Sequence, residues 1–185
     1  VPALCGDQPQ TGCVGAGKAT LTVNETSVGK EKLRLTLKHL LQPVSLAELG
    51  DPVGGSTRYA VCIYDQAGAR VGQMVVDRAA QSCGTKPCWK TKGSTGYQFA
   101  DKAATADGIR SIVAKAGGAG QGSVGAIGAN NAAKGQTALP TGIAAALTGN
   151  TQATVQVLTG DAACFGALLT NVQKNNSLEF SAKAP

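Results

Sequence analysis

Alternation of apolar and polar residues recurs along the chain and limits the folds that it can adopt. In KLRLTLK (residues 32–38), Leu33, Leu35 and Leu37 face one way and the residues between them face the other. The same period of two occurs in RYAVCIY (58–64), TVQVL (154–158) and SLEFSAK (177–183). Because successive side chains of a β-strand point to opposite faces, the pattern predicts half-buried strands.

Further segments read as strands, and turn-forming residues separate them. The additional candidates are KATLTVNET, ARVGQMVVD, GYQFAD, IRSIVAK, SVGAIGA and CFGALLT. DQAG, TADG, LTGN and KNN lie between candidates as turns. Short strands at this spacing predict an all-β fold, a single antiparallel β-sandwich or jelly-roll-like domain. A helical turn is expected only at SLAEL, where Ser45 and Glu48 form a capping box.

Two segments depart from the alternating pattern. Residues 1–17 are predicted to be an N-terminal segment tied down by a disulfide. Residues 116–146 are rich in Gly and Ala, but aliphatic residues punctuate them, unlike a flexible linker. We expect a glycine-rich strand followed by a long loop there, within one domain spanning residues 1–185. No stretch of 18 apolar residues occurs, so no membrane span is predicted.

Six cysteines indicate the compartment and the cross-links. An even count suits three disulfides in an oxidising space, which predicts a secreted or cell-surface protein. A start at Val1 fits a mature chain after signal-peptide removal, and fits a trimmed chain equally. Zinc is the competing interpretation, since CGTKPC has finger-like spacing, but the single histidine leaves few partners. Proximity and strand placement predict three pairs: Cys5–Cys13, Cys83–Cys88 and Cys62–Cys164.

The stretch GCVGAGKAT (residues 12–20) resembles a phosphate-binding loop. Gly12, Gly17 and Lys18 match the consensus, but Ala19 replaces the hydroxyl residue that would hold magnesium. Such a loop must follow a buried strand and open a helix, whereas a β-branched alternating segment follows here. We therefore predict a turn into the first strand and no nucleotide binding, and expect no cofactor.

Few residues are suited to catalysis. His39 is the only histidine and follows an alternating strand, where an exposed edge position is expected. No nucleophile elbow occurs, and the acidic residues are far apart in sequence. A hydrolase that assembles two carboxylates in space stays open as a third interpretation.

The formal charge of +6 raises the question of nucleic acid. The 17 Lys and Arg residues are scattered along the sequence without a tract, which favours a soluble surface and no nucleic-acid binding.

Recognition-type side chains concentrate in TKPCWKTKGSTGYQF (residues 85–99). One interpretation is a platform on which a sugar ring or an anionic polymer stacks, with Trp89 and Tyr97 among Lys86, Lys90 and Lys92. The favoured alternative is that the lone Trp89 packs inward as the largest residue of the core.

A set of positions from residue 30 onward forms a recognisable pattern: Asp51, Pro52, Tyr64, Trp89, Gly96, Tyr97, Asp101 and Cys164. In this pattern the chain resembles an uncharacterised β-rich module of secreted bacterial proteins. The resemblance implies a secreted bacterial β-domain without known catalysis, and it supplies no ligand. The Gly/Ala-rich segment is where this chain departs from it.

Together these features predict a non-enzymatic secreted structural protein, a subunit or module of an extracellular or cell-surface assembly. Its expected partners are copies of itself or other extracellular proteins. The alternative is a carbohydrate-binding module that holds a polysaccharide on Trp89 and Tyr97.

Overall fold

The computed structural model describes residues 4–160 and 163–185, and the described chain is nearly all β. Its strands are β1 (Val14–Asn24), β2 (Lys32–Leu40), β3 (Tyr59–Tyr64), β4 (Arg70–Val76), β5 (Ser82–Cys83), β6 (Lys86–Pro87), β7 (Trp89–Lys92), β8 (Gly96–Ala100), β9 (Ile109–Lys115), β10 (Ser123–Ala129), β11 (Ala153–Thr159), β12 (Cys164–Leu169), β13 (Asn171–Asn175) and β14 (Glu179–Ala184). Short 3₁₀ turns occur at Ala47–Leu49 and Ala132–Lys134, and helix α1 spans Ile143–Leu147.

Twelve strands form one curled sheet in two sections that share β1. The smaller section has the antiparallel order β4-β3-β11-β12. Strand β1 begins parallel to β12, with Val14 opposite Phe165, and then continues between β14 and β2. The larger section runs β13-β14-β1-β2-β10-β9-β8-β7. The all-β prediction is confirmed, and the expected sandwich is broadly consistent, although the sheet is largely one curled half-barrel.

The alternating residues build the core in the predicted way. Leu33, Leu35 and Leu37 of β2 are buried, as are Phe180 and Ala182 of β14. These side chains enter one large apolar cluster on the inner side of the curled sheet. Leu178 belongs to the same alternating segment as Phe180 and Ala182, but it precedes β14 and is half-exposed. The hydrophobic pattern thus decides which side of each strand faces the core.

Strand β3 differs because both of its faces are buried. Tyr59, Val61 and Ile63 belong to the main core, whereas Cys62 and Tyr64 lie in a second, smaller cluster. The N-terminal segment covers this second face, since the Tyr64 hydroxyl donates to the Gly6 carbonyl at 3.2 Å. The segment is thus part of the packing of the smaller section.

Two of the three predicted disulfides are wrong and one is confirmed. The structure pairs Cys5 with Cys62 and Cys13 with Cys164, and it retains the predicted Cys83–Cys88 bridge. Cys62 and Cys164 lie on β3 and β12, which β11 separates. Two strand spacings are about 10 Å, beyond the reach of a disulfide.

The register of β1 explains the pairing that forms instead. Since Val14 is opposite Phe165 in a parallel pair, the preceding residues Cys13 and Cys164 are also neighbours. Cys5 lies against the face of β3 that carries Cys62, in the second, smaller cluster. The N-terminal segment therefore crosses the outside of the smaller section, fastened at both ends, rather than closing on itself. Residues 1–3 of the predicted 1–17 segment lie outside the described residues.

The loops contain more structure than the sequence predicts. The capping box forms, with the Ser45 amide donating to Glu48 Oε2 at 2.7 Å. The 116–146 segment contains the expected strand, β10, but its long loop folds into a 3₁₀ turn and α1. Helix α1 starts at Ile143, where Glu25 accepts hydrogen bonds from the amides of Ile143 and Ala144. In the described ranges, no helix is long and apolar enough to cross a membrane.

Candidate functional site

Residues 82–100, which include the recognition-type side chains, fold as two successive hairpins. Strands β5 and β6 form a small hairpin that the Cys83–Cys88 disulfide closes. Strand β7 follows at once and pairs with β8, with Trp89 opposite Phe99 and Lys92 opposite Gly96. Because β7 is the last strand of the larger section, the segment lies at one margin of the sheet.

Trp89 lies in the core and presents no ring face to solvent. Its side chain is 2% exposed, and its ring centroid is 4.7 Å from that of Tyr59 and 5.3 Å from that of Phe99. Tyr97 is buried as well, and burial raises the pKa of its hydroxyl. The core interpretation of Trp89 is confirmed, and the stacking platform on Trp89 and Tyr97 is not formed.

The three lysines of the predicted site are exposed but separate from the aromatic rings. Lys86 and Lys90 line a cavity of about 540 Å³ beside the Cys83–Cys88 bridge, together with Asp101 and Lys102. Lys90 and Lys92 are opposite Gln98 and Gly96, on the other side of β7 from the buried Trp89. The predicted site is therefore not formed as one unit. The rings of Trp89 and Tyr97 point into the core, and the lysines point outward.

Asp101 lines that cavity, but its carboxylate is engaged within its own loop. Oδ1 accepts from the Ala103 amide at 2.9 Å, and Oδ2 accepts from the Thr105 amide and hydroxyl at 2.9 and 2.7 Å. Burial alone would raise the pKa of Asp101, but these hydrogen bonds outweigh it and hold the pKa below its usual value. The Asp101 carboxylate is therefore ionised and held in place, and it stabilises its loop rather than donating a proton.

Glu31 is used in a similar way. Its carboxylate accepts from the Gly29 amide at 2.7 Å and from Asn130 Nδ2 at 2.9 Å. Burial opposes ionisation here too, but the hydrogen bonds from Asn130 and Gly29 leave the pKa of Glu31 below its usual value. The carboxylate thereby holds the turn before β2 against the residue that follows β10.

The loop-like motif at residues 12–20 is mostly extended strand. Strand β1 begins at Val14, so Gly17 and Lys18 are paired residues of the sheet, with Lys18 opposite Lys38. The predicted turn is thus shorter than expected. A strand at this position has no free row of amides and no helix start to receive phosphates.

His39 is exposed, as predicted, but it lies in β2, which has a partner on each side and is not an edge strand. Its Nδ1 lies 3.1 Å from the Gly120 carbonyl, and its φ of 54° marks a local kink. Among the described residues, no group of three or more His, Cys, Asp or Glu could hold a metal ion.

Four cations that lie far apart in the chain share one face of the sheet, and the sequence alone does not identify them as a group. Lys18, Lys38 and Lys115 lie in one cross-strand row with Lys92 of the predicted site. The available signal was their position at the polar sites of alternating strands. Without the strand order, those positions do not reveal that they are neighbours.

No family model matches this sequence, and neither the curated proteins nor the solved structures give a match.

Proposed function

We propose that the protein is a non-enzymatic structural module of an extracellular or cell-surface assembly. The observation that supports the proposal is that its cysteines and buried carboxylates hold segments of the chain together. All six cysteines are in disulfides, and two of those bridges hold the N-terminal segment against the sheet. Three disulfides suit an oxidising compartment.

The buried carboxylates support the same role. Glu25 holds the start of α1, Glu31 joins two turns, and Asp101 closes its own loop. The hydrogen bonds to Glu31 and Asp101 keep the pKa of each carboxyl below its usual value and hold it ionised, whereas a catalytic acid needs a pKa near the working pH. These groups therefore contribute to stability.

The test is the size and activity of the native, oxidised protein. Sedimentation velocity at increasing concentration and negative-stain microscopy of native material should reveal an ordered species larger than one chain. A monomer at every concentration, together with turnover of a polysaccharide or ester substrate, would overturn the proposal. Glu25→Gln and Asp101→Asn serve as controls, because a structural carboxylate changes the melting temperature and a catalytic one abolishes turnover.

A further inference from the structure

The positive charge of the molecule is concentrated on one side of the larger sheet section. The outer basic face comprises the outward residues of β14, β1, β2, β10, β9, β8 and β7. Its cations are Lys18, Lys32, Arg34, Lys38, Lys90, Lys92, Lys115 and Lys183. These are 8 of the 17 Lys and Arg residues, whereas Glu179 is the face's one acidic residue among those described. The fold therefore brings together on one face 8 of the 17 cations that are scattered along the sequence.

These charges are not neutralised within the protein. Glu179 forms an ion pair with Lys174 of β13 at 2.8 Å, and the other ion pair in the described chain is Arg70–Asp7. None of the eight face cations takes part in either pair. Lys18 and Lys38 are directly opposite on adjacent strands, an arrangement that destabilises a sheet. A bound anion would remove this repulsion.

A shallow groove crosses the middle of the face. Two adjoining depressions of about 340 Å³ each share Val113 and Ser123. Arg34 and Lys38 line one of them, and Lys92 and Lys115 line the other. The lining between these cations is uncharged and includes Ser111, Val113, Ser123, Gly125 and the partly exposed Ile127.

Gly125 lines this groove, and neither its backbone conformation nor its packing requires a glycine at this position. Its φ is not in the left-handed region, and a Cβ added there would come no closer than 3.4 Å to any atom, the Leu35 carbonyl oxygen. Every other strand glycine would place a Cβ within 3.3 Å of a neighbour. Glycine weakens a strand interior, and it is found where a ligand or another backbone approaches closely.

The chemistry of the face selects the ligand. All seven aromatic side chains are buried, so no ring is available to stack on a base or on a neutral sugar. Seven of the eight cations are lysines. A lysine ammonium acts as a point charge, whereas an arginine guanidinium can form two parallel hydrogen bonds with one anionic group. In one row, Lys38, Lys115 and Lys92 lie on every second strand, about 10 Å apart. A flexible, extended polymer with regularly repeated negative charges fits this spacing.

We propose that the outer basic face binds an acidic polysaccharide, a chain whose sugar units carry carboxylate or sulfate groups, laid along the groove over Gly125. Carboxylates or sulfates pair with Lys38, Lys92 and Lys115, and the sugar rings lie over the uncharged residues of the floor. The proposal does not depend on whether the module assembles with copies of itself, because binding is measurable on a single chain.

The test uses the oxidised full chain and polygalacturonate, with neutral dextran and a double-stranded DNA of similar charge as comparison ligands. Lys38→Glu combined with Lys115→Glu reverses charge at the groove. Lys102→Glu combined with Lys134→Glu makes the same change in net charge on exposed loop positions. Gly125→Val fills the groove without changing charge, and Thr22→Val is its control at another outward position of the face.

The expected result is binding to polygalacturonate and not to dextran, weakened at least tenfold by the Lys38/Lys115 change and by Gly125→Val. The two controls should alter affinity less than threefold, and added salt should weaken binding. Equal losses in both double variants would overturn the proposal, since they would mean a non-specific response to net charge. Tighter binding of DNA would overturn it in favour of nucleic acid, and absence of binding at low salt would overturn it outright.

Melting temperatures show whether each variant is folded. If the charge reversal unfolds the protein, Gly125→Val still tests the proposal.

Discussion

Trp89 shows how much one residue depends on its neighbours in this molecule. The sequence marks it as a candidate for stacking because lysines flank it, but the fold encloses its ring between Tyr59 and Phe99. The indole contributes to a core whose aromatic residues are few, since the chain has seven in 185 residues. Each aromatic residue therefore fills a volume that small side chains leave.

Replacement of Trp89 should destabilise the protein strongly. We expect Trp89→Ala to lower the free energy of unfolding by about 3–5 kcal/mol, because it leaves a cavity among large rings. Trp89→Phe should cost less. Urea unfolding measures both. Since Trp89 is the only tryptophan, native fluorescence should resist quenching by iodide; ready quenching would contradict the burial.

Asp101 should make stability depend on acid pH. Its pKa in the folded state is below the ordinary value of 3.8, so the carboxylate stabilises the fold above that value. This stabilisation should be lost as the pH falls below about 4 and through the lower, folded-state pKa. Asp101→Asn should flatten that part of the curve of melting temperature against pH, whereas Asp77→Asn, on an exposed side chain, should leave it unchanged. Identical curves for the two variants would refute this role of Asp101.

At the scale of elements, the strands follow the alternating pattern and their glycines separate into two kinds. Gly96 of β8 lies so close to Ala114 that a Cβ would collide with its carbonyl oxygen, whereas Gly125 of β10 has room for one. Both are strand residues, and the sequence does not distinguish them. Their difference comes from the strand beside each glycine, because a Cβ at Gly96 would meet the backbone of β9, whereas a Cβ at Gly125 would stay 3.4 Å from the backbone of β2.

The same substitution should therefore have opposite effects at the two sites. Gly125→Ala should raise the free energy of unfolding by about 0.5–1 kcal/mol, because it removes the entropy cost of a strand glycine without a clash. Gly96→Ala should lower it, because the backbone of β9 has to move. Thermal melts of the two variants check this prediction. Equal shifts in melting temperature would contradict the difference in free space between Gly125 and Gly96.

At the scale of the whole molecule, two disulfides tie the N-terminal segment to strands β3 and β12. Cys13 and Cys164 are separated by 151 residues, Cys5 and Cys62 by 57, and Cys83 and Cys88 by 5. The first two bridges connect the N-terminal segment to β12 and β3, so they constrain most of the unfolded chain.

Loss of these bridges should rank by loop length. The loop-entropy model gives about 5 kcal/mol for Cys13–Cys164, about 4 for Cys5–Cys62 and about 2 for Cys83–Cys88. Paired Cys→Ala variants should lower the melting temperature in that order. Peptide mapping without reduction should recover Cys5 joined to Cys62 and Cys13 joined to Cys164. Recovery of Cys5–Cys13 would instead refute the path of the N-terminal segment.

The sequence by itself determined the local features of this protein. Alternation in segments such as residues 32–38 predicts a strand and its buried side, because the period of two is a property of the extended backbone. The Ser45–Glu48 capping box and the short Cys83–Cys88 bridge were predictable because their partners are close in sequence. Strands β5, β6, β7 and β13 were not predicted, since they are short or polar and are held by their neighbours.

Only the tertiary structure decided which distant residues meet. The strand order separates Cys62 from Cys164 by β11 and brings Cys13 beside Cys164 instead. The same order aligns Lys18, Lys38, Lys115 and Lys92 in one row, although they are far apart in the chain. Periodicity specifies the face of a strand but not its neighbour. Neighbours are chosen by the closure of long loops and the packing of the whole core, which depend on all the strands at once.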